Sequence, residues 1–232
     1  KSIPENSVVI EAFPSKGYVS TLAANQLIKQ LDMELVGSII CSKLDAIAVI
    51  HEKKPLHPIR IYMKEDVVVV FSELIIPFNL THEFTEALGS WVNSIKPRSA
   101  IFLASIPGVE TDKEHEILTV STDDVIRRKT EGLKIKQMDE GVLTGLSSSL
   151  MLNCVENNVP ATSIMVETSY VPDVLAAASL LEIISKILEV DLDVKELQNA
   201  GDQIEDKFKE KLNQMKKGRD DLKEMHEDTM YR

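Results

Sequence analysis

Cysteine is nearly absent from this chain: of its 232 residues only Cys41 and Cys154 carry thiols, far apart and each in apolar company. Two such residues cannot frame a disulfide scaffold, and they predict buried, unpaired thiols in a reducing, cytoplasmic compartment. Aromatic residues make up 5% of the chain, so a large core has to be assembled from Val, Ile, Leu and Ala; a hydrophobic share of 44% suffices for it. Cations are in the minority, 26 Lys and Arg against 37 Asp and Glu, for a formal charge of -11. A chain of that sign repels a phosphate backbone and gains nothing from counterion release, which argues against a nucleic-acid partner. No apolar run reaches the ~20 residues of a membrane-spanning helix, and the opening residues do not read as a secretory leader. The histidines at 51, 57, 82, 115 and 226 lack ligand partners at metal-site spacing, so no metal and no cofactor is expected.

What is present is an alternation of strand and helix patterns over about 190 residues, the signature of an α/β layer fold with a mostly parallel or mixed sheet and helices on both faces. Val8-Val9-Ile10 and the four valines before Phe71 are continuous apolar runs that suit strands buried on both sides. Further strands are expected near 35–40, 99–105, 116–121, 133–137 and 161–167. Ile47 to His51 and Ile59 to Met63 read as an antiparallel pair around the Pro55 to Pro58 turn, and Asp123 to Glu131 as a charged stretch between strands. Helices are expected at 19–31, 81–96, 142–156 and 174–188, the last opened by Pro172-Asp173, residue types that suit a helix start.

The character changes after Asp193. Residues 194–227 hold no proline and no strand pattern, and their apolar residues recur on a seven-residue frame: Val194, Phe208, Met215 and Leu222 at one position, Leu197, Ile204 and Met225 at the other. Gly201, Lys211 and Gly218 interrupt it. The pattern predicts a long amphipathic helix, suited either to a coiled coil or to lying back on the domain. The chain thus divides into a core at 1–193, a helical extension at 194–227 and a short flexible tail at 228–232.

Motifs of catalysis are not found. Gly145 followed by Ser147-Ser148-Ser149 lacks the frame of a nucleophile elbow. Phe13 to Gly17, between the first strand and first helix, stands where phosphate sites occur but matches neither G-x-G-x-x-G nor the P-loop pattern. Glu167 and Asp173 could pair for acid–base work, though Asp173 is more simply a helix cap.

Gly141-Val142-Leu143-Thr144-Gly145, Val159-Pro160-Ala161, Glu167-Thr168, Tyr170-Val171-Pro172-Asp173 with Ala176-Ala177-Ala178, and Leu188 to Asp193 together resemble the archaeal branch of the proteasome assembly chaperone family. Val9 to Pro14 with Gly17, and the Leu22-Ala23-Ala24 helix, resemble it too. The resemblance implies an architecture related to nucleoside phosphorylases without an established catalytic centre, self-assembly into a homo-oligomer, and the α subunits of the core proteasome as partners. Against that background Met230-Tyr231-Arg232 matches the hydrophobic–tyrosine–any-residue tail of proteasome activators and some assembly chaperones. These three residues are the expected partner-binding site of a non-enzymatic protein that docks on the α ring, as an assembly chaperone or an activator. The competing expectation, a phosphorylase- or hydrolase-like enzyme acting on a small molecule, rests on architecture alone.

Overall fold

The computed structural model describes residues 2–108, 115–199 and 201–230; for 202, 219 and 222–230 it describes the backbone alone. Strand β1 (Val8–Ala12) lies near the middle of one sheet, between β6 (Val67–Ser72) and β7 (Ser99–Pro107), parallel to both. Outward from β6 come β5 (Ile59–Lys64) and β2 (Glu34–Ser38); outward from β7 come β10 (Ala161–Thr168), β8 (Ile117–Ser121) and the two-residue β9 (Lys136–Gln137). The four pairings β6–β1, β1–β7, β7–β10 and β8–β9 are parallel and the others antiparallel, giving the mixed eight-stranded sheet expected of the alternating pattern.

The alternation of side chains along β1 divides the core in two. Val8, Ile10 and Ala12 face a layer built from α1 (Val19–Gln30) and α5 (Val174–Leu188). Small residues fill these helices, Ala23 and Ala24 in one and Ala176, Ala177 and Ala178 in the other, all buried. Without bulk at these positions both helices settle close to the sheet and to each other. Val9 and Phe13 face the opposite layer, α2 (Thr81–Ile95) and α4 (Leu146–Glu156). Every residue of β6 is buried, in keeping with its unbroken apolar run.

Three local expectations change. The strand at 49–51, β3 (Val49–His51), pairs with β4 (Lys54–Leu56), while Ile59–Lys64 joins the main sheet. Glu52 and Lys53 both adopt positive φ, 48° and 65°, as a two-residue hairpin turn requires. Pro55 therefore sits in a strand, tolerated because this ribbon has only one partner to satisfy. The charged stretch after Asp123 is a helix, α3 (Asp124–Gly132), because the Asp123 carboxylate accepts from Val125 N at 2.9 Å and Ile126 N at 3.1 Å. The fourth helix starts at Leu146, after Gly145 at φ 93°, and not at Val142. Cys154 is buried and Cys41 only half-buried; both are unpaired.

The extension after Asp193 begins within the core. In α6 (Val194–Asn199) Leu197 is buried, and Glu196 binds Lys29 and Gln26 of α1 at 2.6 and 2.9 Å. Then α7 (Gly201–Met230) runs as one helix past the Glu227 expected for its end.

The loop from β1 to α1 is closed against the start of α5. Gly17, at φ 69°, accepts from Asp173 N at 2.9 Å, and Asp173 caps α5 through Ala176 N. A Cβ at Gly17 would lie 2.7 Å from Thr168 Oγ1. Gly17→Ala is therefore expected to cost about 1–3 kcal/mol for the backbone alone, measured by denaturant unfolding, and more if Thr168 cannot retreat.

Candidate functional site

The carboxyl ends of β1, β6, β7 and β10 form one rim, and α7 crosses it. Gly201 lies against Val174 at the start of α5. One and two turns later Ile204 and Phe208 pack on the core, with the Phe208 ring edge-on to Tyr18 at 4.9 Å between centroids. Leu212 and Met215 then face Leu44, Ile47, Ile75 and Pro77, and Gly218 reaches the segment that leads into the β3–β4 hairpin. The apolar seam read from the sequence is thus spent on this chain's own domain as far as Met215, while residues 206, 207, 209, 210, 213, 214 and 216–218 stay exposed. Open grooves of about 180 and 410 Å³ run along the contact between α7 and the domain.

An ion cluster fastens the helix where the seam is interrupted. The side chain of Glu73, just past β6, is 7% exposed; its Oε1 accepts from Lys211 Nζ at 2.5 Å, pairs with the Arg60 guanidinium at 3.2 Å from Nη2, and lies 3.0 Å from His51 Nε2. Arg60 is itself buried, stacked 5.3 Å from the Phe71 ring and 5.8 Å from that of Tyr62, with Nη1 donating to His57 O at 2.8 Å. Burial by itself would raise the Glu73 carboxyl; the His51 hydrogen bond and the Lys211 and Arg60 charges outweigh it and hold the group at about 2. Lys211, which interrupts the heptad frame, is here the helix's electrostatic attachment. Neither Arg60 nor Glu73 stood out in the sequence, although an arginine inside Ile59-Arg60-Ile61 is the kind of inward charge that signals such a cluster.

Beside the helix, on the α2–α4 side, the rim opens into a cleft of about 570 Å³. Its floor carries Ser105, Ser147, Ser148 and Ser163, and its lip carries Ile75, Phe78 and Val142. Phe78 is 90% exposed and Val142 87%, so two large apolar side chains stand in water around one concavity. The Ser147–Ser149 run lies in the first turn of α4, where Ser147 and Ser148 line the cleft. The Phe13 to Gly17 loop is tied up within the chain: Ser105 Oγ donates to Lys16 O at 2.8 Å, and the Ser15 and Ser20 hydroxyls pair at 2.7 Å. Glu167 and Asp173 do not form a working pair; Asp173 caps α5 and accepts from Thr168 Oγ1 at 2.6 Å. Among the described residues no cluster of three His, Cys, Asp or Glu side chains is arranged to hold a metal, and no helix is long and apolar enough to cross a membrane. Of the expected docking residues, Met230 ends α7; Tyr231 and Arg232 lie outside the described residues.

A mixed sheet walled by helices on both faces, its carboxyl rim crossed by a long C-terminal helix, defines a distinct class of layered α/β protein. The particular family follows from comparison with known sequences: the model of the PAC2 family matches residues 9–212, and this chain belongs to that family. It is 28% identical over 210 residues to an uncharacterized protein of Methanocaldococcus jannaschii, covering 89% of this chain and 85% of that one. Among solved structures it is similar to Pyrococcus furiosus PbaA, an archaeal homolog of proteasome-assembly chaperone, at 26% identity and TM-score 0.85, covering 94% of this chain and 97% of that chain. The P. furiosus PbaB structure, an archaeal proteasome activator, shares the fold at 19% identity and TM-score 0.73, over 93% and 96% of the two chains. The resemblance read from the sequence is upheld.

The cluster yields a signed pH dependence. The folded carboxyl of Glu73 lies below its ordinary 4.5, so its contribution is complete above that value and is lost as pH falls toward about 2. Acid unfolding of Glu73→Gln is expected to be shallower over that range. Glu73→Ala, which strands Arg60 in the core, is expected to cost about 3–5 kcal/mol in urea unfolding. Lys211→Ala, at a half-exposed partner, is expected to cost less than about 1 kcal/mol yet to speed amide exchange in 208–218.

Proposed function

We propose that this protein is a proteasome-associated chaperone or activator of the cytoplasm, non-enzymatic, which self-associates and docks on the α ring of the core proteasome through Met230-Tyr231-Arg232. The observation that carries this reading is the continuity of α7: a helix seated on the rim by Ile204, Phe208 and Lys211 continues unbroken to Met230. The segment from 219 to 230 amounts to ~18 Å of helix at 1.5 Å per residue, a rod able to hold a terminal motif away from the body of the domain. The PAC2 membership and the likeness to PbaA, a homolog of proteasome-assembly chaperone, and to PbaB, a proteasome activator, point to the partner.

The chemistry of the tail suits the task. The reading takes Arg232 as the terminal residue, whose carboxylate pairs with a lysine between neighbouring α subunits. The Tyr231 ring brings apolar area with few rotors to freeze and a hydroxyl to bond. Met230 adapts to an uneven apolar wall. One tail buries little surface, and several in a homo-oligomer gain through effective concentration. The net charge of -11 leaves nucleic acid an unsuitable partner.

Pull-down of archaeal core proteasome by the full chain, by a chain lacking 230–232 and by one extended beyond Arg232 tests the proposal. The truncation is expected to lose binding with fold and oligomer unchanged. The extension, which displaces the carboxylate by ~3.5 Å, is expected to bind nearly as poorly. Tyr231→Ala should weaken binding by ~2 kcal/mol or more, and Arg232→Ala far less. Equal binding by all these chains would remove the tail as the docking element.

A further inference from the structure

Glu11 is the one acidic residue in β1, and it points into the apolar layer between the sheet and α2–α4. It is 2% exposed. Its Oε1 accepts from Phe13 N at 3.1 Å, Ser147 lies near enough to favour the charged form, and Oε2 is buried with no hydrogen-bond partner. Around it stand Val9, Val70, Leu88, Gly89, Val92, Ala100, Phe102, Leu150 and Cys154 from β1, β6, β7, α2 and α4. Cys154 is the only other titratable group in that wall, and burial pushes its thiol up to about 11, so it stays neutral. The void within this wall is about 10 Å³, one water at most, and no cation lines it. A negative charge here has no counter-ion.

Ser147 gives this buried carboxyl a route outward, because the same residue lies on the floor of the open cleft. It sits in the first turn of α4, directly after Gly145, whose φ of 93° needs no change of residue type to flex. Movement of that turn admits water to Glu11 from the cleft side, while the other walls are strand and helix interiors.

We propose that Glu11 couples proton binding to closure of the carboxyl-end cleft: with the carboxyl neutral, β1 and the first turn of α4 are held together, and with it ionised that turn parts from β1 and the apolar cleft widens. The direction follows from the two environments. Burial first, partly offset by Ser147 and Phe13, raises the closed-state carboxyl from 4.5 to about 7, whereas a water-exposed carboxyl in the open state keeps its ordinary value. Opening is therefore suppressed below the ordinary value, grows as pH rises to about 7, and levels off above it. The lip residues Ile75, Phe78 and Val142 are the surface whose spacing changes.

Hydrogen exchange of residues 142–150, corrected for intrinsic rates and read between pH 5 and 8.5, tests this on the full chain. Exchange in the wild type should rise about tenfold per pH unit up to about 7 and then flatten; Glu11→Gln, near in shape but unable to ionise, should give a flat profile. Ser147→Ala, which removes a hydroxyl that favours the charged form, should move the plateau to higher pH. Carbon-13 NMR of the wild-type glutamate carboxyls gives an answer independent of any variant's folding. A Glu11 carboxyl titrating below pH 5, or the same exchange profile in wild type and Glu11→Gln, would overturn the proposal.

Discussion

β1 has no side that faces water. Its neighbours β6 and β7 take its backbone groups, α1 and α5 cover Val8, Ile10 and Ala12, and α2 and α4 cover Val9 and Phe13. A strand enclosed in this way must be apolar nearly throughout, and it fixes the register of the strands beside it: Val8, Ile10 and Ala12 oppose Val67, Val69 and Phe71. Both helical layers are placed by the alternation of its side chains. The exception to its apolar character is Glu11, and no ion pair answers it there. The chain accepts a desolvated carboxyl at the point where the central strand meets the rim, a local conflict of the sort that tends to mark working parts of a protein.

The C-terminal helix is held by a different balance. Its mean composition is polar, and among its described side chains Ile204, Phe208, Leu212 and Met215 offer apolar area to the domain. Lys211 adds a charge partner to Glu73, whose burial was already imposed by Arg60. The core thus supplies a carboxylate beside its own arginine, and the helix adds one ammonium to the same oxygen. That arrangement selects one seat along the helix, since sliding α7 by a residue would remove the ammonium from its acceptor. Apolar area alone would not discriminate registers so sharply.

The sheet was legible in the sequence where burial is two-sided and runs are unbroken, as at Val8-Val9-Ile10 and at Val67 to Phe71. It was less legible where a single residue decides. The Glu52-Lys53 turn carries no glycine or asparagine to announce positive φ, so β3 was matched to the wrong partner. The residues after Asp123 read as a charged stretch between strands because α3 is so polar that the apolar spacing of a helix is faint. At the rim, the heptad seam was visible and its occupant was not: periodicity reports that one face is apolar, but not whether another copy or the chain's own domain covers it. The Glu73 cluster joins residues 51, 60, 73 and 211, a separation that no local spacing rule connects. Glu11 was in view as a carboxylate within Val9-Ile10-Glu11-Ala12, and its environment became evident only with α4 in place.

The seat of α7 has a mechanical consequence. From Lys211 to Met230 the helix extends ~28 Å at 1.5 Å per residue, and among the described side chains its last contacts with the domain come near Gly218. It therefore acts as a lever whose fulcrum is the ion cluster. A rocking of about 10° at Lys211 sweeps Met230 through ~5 Å on that geometry, more than the reach of a hydrogen bond. How accurately the far end can be presented is thus set by the stiffness of a few contacts at the rim.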